Sequence, residues 1–233
     1  QAWVLGVDLG RADEALRLAA LLDPLVTRAG EDPGTRAMLL NYLGVVHATK
    51  HEYEDAQVHL ERALSLSAPP SVDDPGITSS WGATHENLGH VLLLQGRYDE
   101  AAPHCEEAVR TFDLMLGPQH PASGAARQTL ANVQKLQGKY TDAKANLETA
   151  LALLEAAYGT DHAIVADVVN DLGNLYNEFG KPLLALPYCQ HAARIADAKS
   201  PAQHQLHSAT LYCIGSALLA GIWLFGLVVA EGW

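Results

Sequence analysis

The chain repeats itself, and no other feature limits its possible folds as strongly. The segments LGRADEALRLA, KHEYEDAQVHLERAL, QGRYDEAAPHCEEAV and QGKYTDAKANLETAL share one pattern, and FGKPLLALPYCQHAA is a weaker fifth copy in step with them. Their central alanines are Ala15, Ala56, Ala101, Ala143 and Ala185, spaced 41, 45, 42 and 42 residues apart. Seven residues after the alanine a second small residue recurs as Ala63, Ala108, Ala150 and Ala192. Twelve residues before it stands Gly44, Gly89, Ala131 or Gly173, each preceded by a leucine (Leu43, Leu88, Leu130, Leu172). Composition alone does not hold such offsets from copy to copy, so the chain is a repeat array.

The unit reads as a pair of helices. Between Arg36 and Ser67 two apolar-periodic stretches flank a polar break at Lys50–Glu52. Each is long enough for about four turns, with apolar residues at i, i+3, i+4 and i+7. In the next two copies the break carries Gly96 and Gly138, the residue that most easily leaves a helix through the left-handed region. Glycine or alanine on the first helix facing alanine on the second removes bulk where the axes cross. The backbones can then approach to the lower end of the roughly 8–10 Å interaxial range. Residues 68–77, APPSVDDPGI, are rich in proline and read as an extended surface loop that lengthens one spacing.

The Leu-Gly pair, the later Gly-x-Tyr-x-x-Ala and the second alanine resemble the tetratricopeptide repeat. The longer period, with Gly117-Pro-Gln-His120-Pro121 and Gly159-Thr-Asp-His162-Ala between units, is similar to the 42-residue variant of kinesin light chains. The resemblance covers nearly all of residues 1–200 and implies an all-α fold, a right-handed superhelical solenoid of about five antiparallel helix pairs. Two departures stand out. The aromatic expected three residues after the small first-helix position occurs only as Tyr176, the other copies having His47, Leu92 and Gln134. Pro182 stands where a second helix should begin, a place it can hold only in the first turn.

Composition narrows the function. Asp and Glu number 27 against 15 Lys and Arg, a net charge of −12, which disfavours sequence-independent nucleic-acid binding. Three cysteines make no disulfide framework and fit a reducing, cytoplasmic setting. Cys105 and Cys189 share one repeat position two units apart and read as small buried hydrophobes. The chain opens on Gln1 with no basic-then-apolar leader, which reads as a processed end or the start of a fragment. No nucleophile elbow, phosphate loop or dinucleotide fingerprint occurs, so neither catalysis nor a cofactor is expected. The histidine pairs do not hold the spacing and neighbours of metal ligands. His47 and His51 are four apart but lack the His-Glu-x-x-His order, His85 and His90 point apart, and His204 and His207 have no acidic neighbour. His120 and His162 recur between units, which argues for a role in the turn. No metal site is expected.

Repeat arrays bind partners along the concave surface lined by their first helices. In this register that surface carries Asn41, Glu86, His90, Gln128, Asn132, Lys135, Asp167, Asn170, Asn174 and Asn177. A carboxamide both donates and accepts, so it can clamp the backbone of an extended peptide without demanding a particular side chain. Similar repeats of kinesin light chains also place asparagines there. The expectation is a non-catalytic scaffold for a peptide or partner protein, with Glu86, Lys135 and Asp167 tuning its charge preference.

The end of the chain, residues 201–233, admits two readings. Leu211–Ala230, LYCIGSALLAGIWLFGLVVA, is 20 residues long with no Asp, Glu, Lys or Arg, enough to span a bilayer as a helix. It would then anchor an array that organises a membrane complex. Alternatively, Gly215 lies 42 residues after Gly173, so SATLYCIGSALLAG reads as the first helix of another repeat. An enzyme accessory or regulatory array cut from a longer chain is a third hypothesis. The oligomeric state is open.

Overall fold

The computed structural model describes residues 16–17, 32–67, 69, 75–199, 211, 213–215 and 219. The helix pair expected around Ala15 and most of the apolar C-terminal segment lie outside these residues. All regular structure among the described residues is helical. The helices are α1 (Pro33–Thr49), α2 (Tyr53–Leu66), α3 (Pro75–Leu94), α4 (Tyr98–Leu116), α5 (Pro121–Leu136), α6 (Tyr140–Tyr158), α7 (Ala163–Glu178) and α8 (Pro182–Lys199). The chain divides into two compact units, Gln1–Val133 and Gln134–Trp233.

In the first unit α1 packs on α2 and α3 on α4, while α2 and α1 both touch α3. In the second, α7 packs on α8 and α6 on α7. The small residues found by repeat spacing sit where the helices meet. Ala56, Ala101, Ala143 and Ala185 are fully buried, and so are Ala63, Ala108, Ala150 and Ala192. The glycines show why bulk is excluded. A Cβ on Gly44 would stand 2.5 Å from Leu60 Cγ and 3.2 Å from the Ala56 carbonyl oxygen. On Gly89 it would stand 2.5 Å from Cys105 Sγ.

Each turn has its own chemistry. Three first helices lead into left-handed glycines, Gly96, Gly138 and Gly180, and His51 takes the same position with φ 62°. Between units, His120 Nδ1 accepts from the Ala122 N–H and His162 Nδ1 from the Ile164 N–H, both at 3.2 Å. The recurring histidines therefore satisfy amides at the starts of α5 and α7, as their repetition implied. Pro182 opens α8, where a missing N–H costs nothing. One boundary moves. Pro75–Ile77, expected in the loop, belong to α3, because proline suits a first helical turn.

The irregular aromatic position is resolved by a partner fifteen residues after the small first-helix residue. Tyr176 stacks on Tyr188 at 5.5 Å, His47 stacks on His59 at 5.1 Å, and Gln134 Oε1 accepts from Asn146 Nδ2 at 2.9 Å. Three copies keep a matched pair in place of a fixed residue type, while in the copy with Leu92 the later position is His104, which meets His85 instead.

The cysteines require a correction. Cys105 is buried, and burial pushes its thiol up to about 12, which makes it inert. Cys189, however, is bonded to Cys213 with Cα atoms 5.8 Å apart, so the chain does hold a disulfide. The bond lies over Gly173, where a Cβ would meet both sulfurs within 2.8 Å. Spacing within one repeat could not reveal it, because Cys213 reaches the core from the segment beyond α8. Leu211, Cys213–Gly215 and Leu219 are helical, and Asn177 Nδ2 donates to the Cys213 carbonyl at 3.0 Å. Among the described residues no helix is long and apolar enough to cross a membrane.

Candidate interaction surface

In the first unit the expected surface residues fall on α1, α3 and α5. Asn41 is half-buried, and its Oδ1 accepts from Asn87 Nδ2 at 2.9 Å, joining two neighbouring first helices. Asn87 was not singled out by sequence reasoning, although it stands two residues before Gly89 on the same helix. Glu86 is buried, and loss of solvation pushes its carboxyl up to about 7. His90 is half-buried, and the same cause pulls its imidazole down to about 4, leaving the ring neutral at pH 7. Gln128 and Asn132 are half-buried on α5. The first helices of this unit thus carry carboxamides, a neutral histidine and one buried acid.

In the second unit α7 carries most of the surface. Asp167, Asp171, Asn174 and Glu178 are half-buried or exposed and follow a helical stripe, with Asn170 flanking it three residues after Asp167. Asn170 is only 7% exposed, and its Oδ1 has no hydrogen-bond partner. Asp167 keeps solvent contact, yet protein crowds it enough that desolvation, and then the Asp171 charge, push its carboxyl up to about 6. Two expected surface residues are engaged within the fold. Lys135 Nζ lies 3.3 Å from Glu178 Oε1, and Asn177 is tied to the Cys213 carbonyl. The expected residues are thus distributed over two separate units, each with its own polar first-helix face.

The histidines assemble differently from their sequence spacing. His51 turns away from His47 and bonds the Tyr53 hydroxyl at 2.8 Å. His47, Glu52 and Asp55 come together with ligand atoms within 4.8 Å of one another. There His47 Nδ1 is 2.7 Å and Lys50 Nζ 3.3 Å from Glu52, an ion-pair arrangement that satisfies the carboxylate. His85 meets His104, their Nδ1 atoms 2.8 Å apart, with Trp81 against the His85 ring. One ring must donate and the other accept, and burial lowers both pKa values, His85 to about 4. Trp81 Nε1 donates to Glu107, which Arg110 holds by two nitrogens. This cluster ties α3 to α4. His104 stands fifteen residues after Gly89, the offset held by His59, Asn146 and Tyr188 in the other copies, and that was the signal that could have located it.

Stacked helix pairs with buried small residues at their crossings and polar first-helix faces define a helical-repeat protein. The tetratricopeptide repeat model matches residues 82–156 and 129–198, and the chain belongs to that family. No curated protein matches it in sequence. Its fold is shared with BtubC (BKLC) from P. vanneervenii, at a TM-score of 0.72 and 21% identity over 92% of this chain and 84% of that one. A putative kinesin light chain from Podosopora anserina with nearly identical TPR-like repeats is similar at a TM-score of 0.65 and 20% identity, covering 82% and 89%. YrrB, described as a TPR protein with an unusual peptide-binding site, gives 0.54 and 20% over 85% and 84%.

Proposed function

We propose that the chain is a non-catalytic scaffold that holds an extended peptide segment of a partner protein against its first helices, through carboxamide hydrogen bonds to the peptide backbone. The observation that carries this reading is Asn170. Its side chain is more than nine-tenths buried, yet its Oδ1 lacks a partner. A buried polar group left unpaired costs about 1–3 kcal/mol, and such an exception needs a reason. A peptide N–H donating to Oδ1, with the peptide carbonyl accepting from Nδ2, would remove that cost only in the complex. Asn174, one turn further along α7, can repeat the clamp. A peptide-binding site in YrrB, which shares the fold, gives precedent for this use of the architecture.

The test is selection of random 12-residue peptides displayed on phage against the purified chain, followed by titration of the enriched sequence. Replacing Asn170 and Asn174 together by Ala should weaken binding by roughly tenfold or more, with the helical circular dichroism unchanged. Full affinity in the double variant would move the interface off α7.

A further inference from the structure

We infer that the segment held on α7 presents a lysine or arginine side chain to Asp167. The inference rests on the peptide-binding reading above and adds the chemistry of the partner. Three oxygen-bearing side chains, Asp167, Asn170 and Asp171, follow one another at i, i+3 and i+4 along α7. Asp167 and Asp171 stand one turn apart, and the accessible Asp167 is bounded at i+3 by the buried Asn170, whose Oδ1 has no partner. All three groups accept hydrogen bonds, and an ionised carboxylate has nothing to donate. The one basic residue expected on the neighbouring surface of this unit, Lys135, is committed to Glu178.

Such a site is complementary to a group with several N–H donors and a positive charge, which among peptide side chains means lysine or arginine. The charge of the chain, −12, favours approach of a basic segment as well. The electrostatics agree with the geometry. Desolvation by the protein around it and the Asp171 charge hold the Asp167 carboxyl up to about 6, which a cation beside it would offset.

The probe is a set of acetylated 12-residue peptide pools, randomised among Gly, Ser, Ala and Leu, whose central residue is Lys, Arg, norleucine or Glu. Fluorescence polarisation at pH 7.5 should rank the Lys and Arg pools roughly tenfold above the norleucine pool, with Glu weakest. In Asp167→Asn the ratio of Lys to norleucine should collapse to about one. It should also shrink in the wild type as pH falls below 6 and Asp167 takes up its proton. If the pools bind and respond to Asn170→Ala but show no preference for a basic centre, or keep it in Asp167→Asn, this inference falls and the peptide-binding reading stands. If no pool binds, both fall. If calorimetry shows calcium chloride alone binding the wild type and not Asp167→Asn, the acids form an inorganic cation site and the inference is overturned.

Discussion

Single residues carry the functional argument because a few polar groups on the first helices are held in environments that oppose their ordinary state. Glu86 is the clearest case. Its folded-state carboxyl is raised from the ordinary 4.5 to about 7 by desolvation, so between those values the folded chain keeps a proton that the unfolded chain has lost. Stability must therefore fall as pH rises through that window, and the full cost is present above pH 7. Glutamine cannot ionise. Glu86→Gln should gain on the order of 1–3 kcal/mol over the wild type at pH 8 and nearly nothing at pH 4. Denaturant unfolding at the two values measures this, and parallel pH profiles for the two proteins would show that Glu86 is solvated. Asn170 belongs to the same class, a buried polar group whose hydrogen bond is left open.

At the scale of the element, the helix crossing is set by what is missing. Gly44 sits against Leu60 and the Ala56 carbonyl, leaving no space for a methyl group. Alanine is the better helix former by about 1 kcal/mol, so an exposed glycine at this site would gain from the change. Here Gly44→Ala should instead lose about 1–3 kcal/mol through overpacking. A rise in melting temperature would contradict the crossing geometry. This level of structure was legible in the sequence, because alanines at fixed offsets and glycines at the breaks are the residues that close contact and left-handed turns demand. Features joining one repeat to the next were not legible. The bond between Asn87 and Asn41 and the disulfide between Cys189 and Cys213 depend on which faces adjacent units turn to one another. The matched pairs Tyr176–Tyr188 and Gln134–Asn146 were hidden because both members change together. The expected surface was legible as a list of first-helix positions, but their burial was not. Periodicity placed Lys135 and Asn177 on the right helices and could not tell that both are engaged within the fold.

At the scale of the molecule, the repeats supply two units, each with a polar first-helix face and a buried seam of small residues behind it. The seam explains why the chain folds, and the face is where the proposed peptide would lie. A family of scaffolds uses this unit widely, so the fold alone leaves the partner open, and the distinctive chemistry lies in the carboxamides and acids of α3 and α7. The most direct measurement is the two-dimensional 15N spectrum of side-chain amides, with and without the phage-selected peptide. The missing peak in Asn170→Ala identifies the Asn170 signal. Peptide binding should move the Asn170 and Asn174 carboxamide signals while those of Asn146, on the second helix α6, stay in place. A peptide that binds with the α7 signals unmoved would contradict the account.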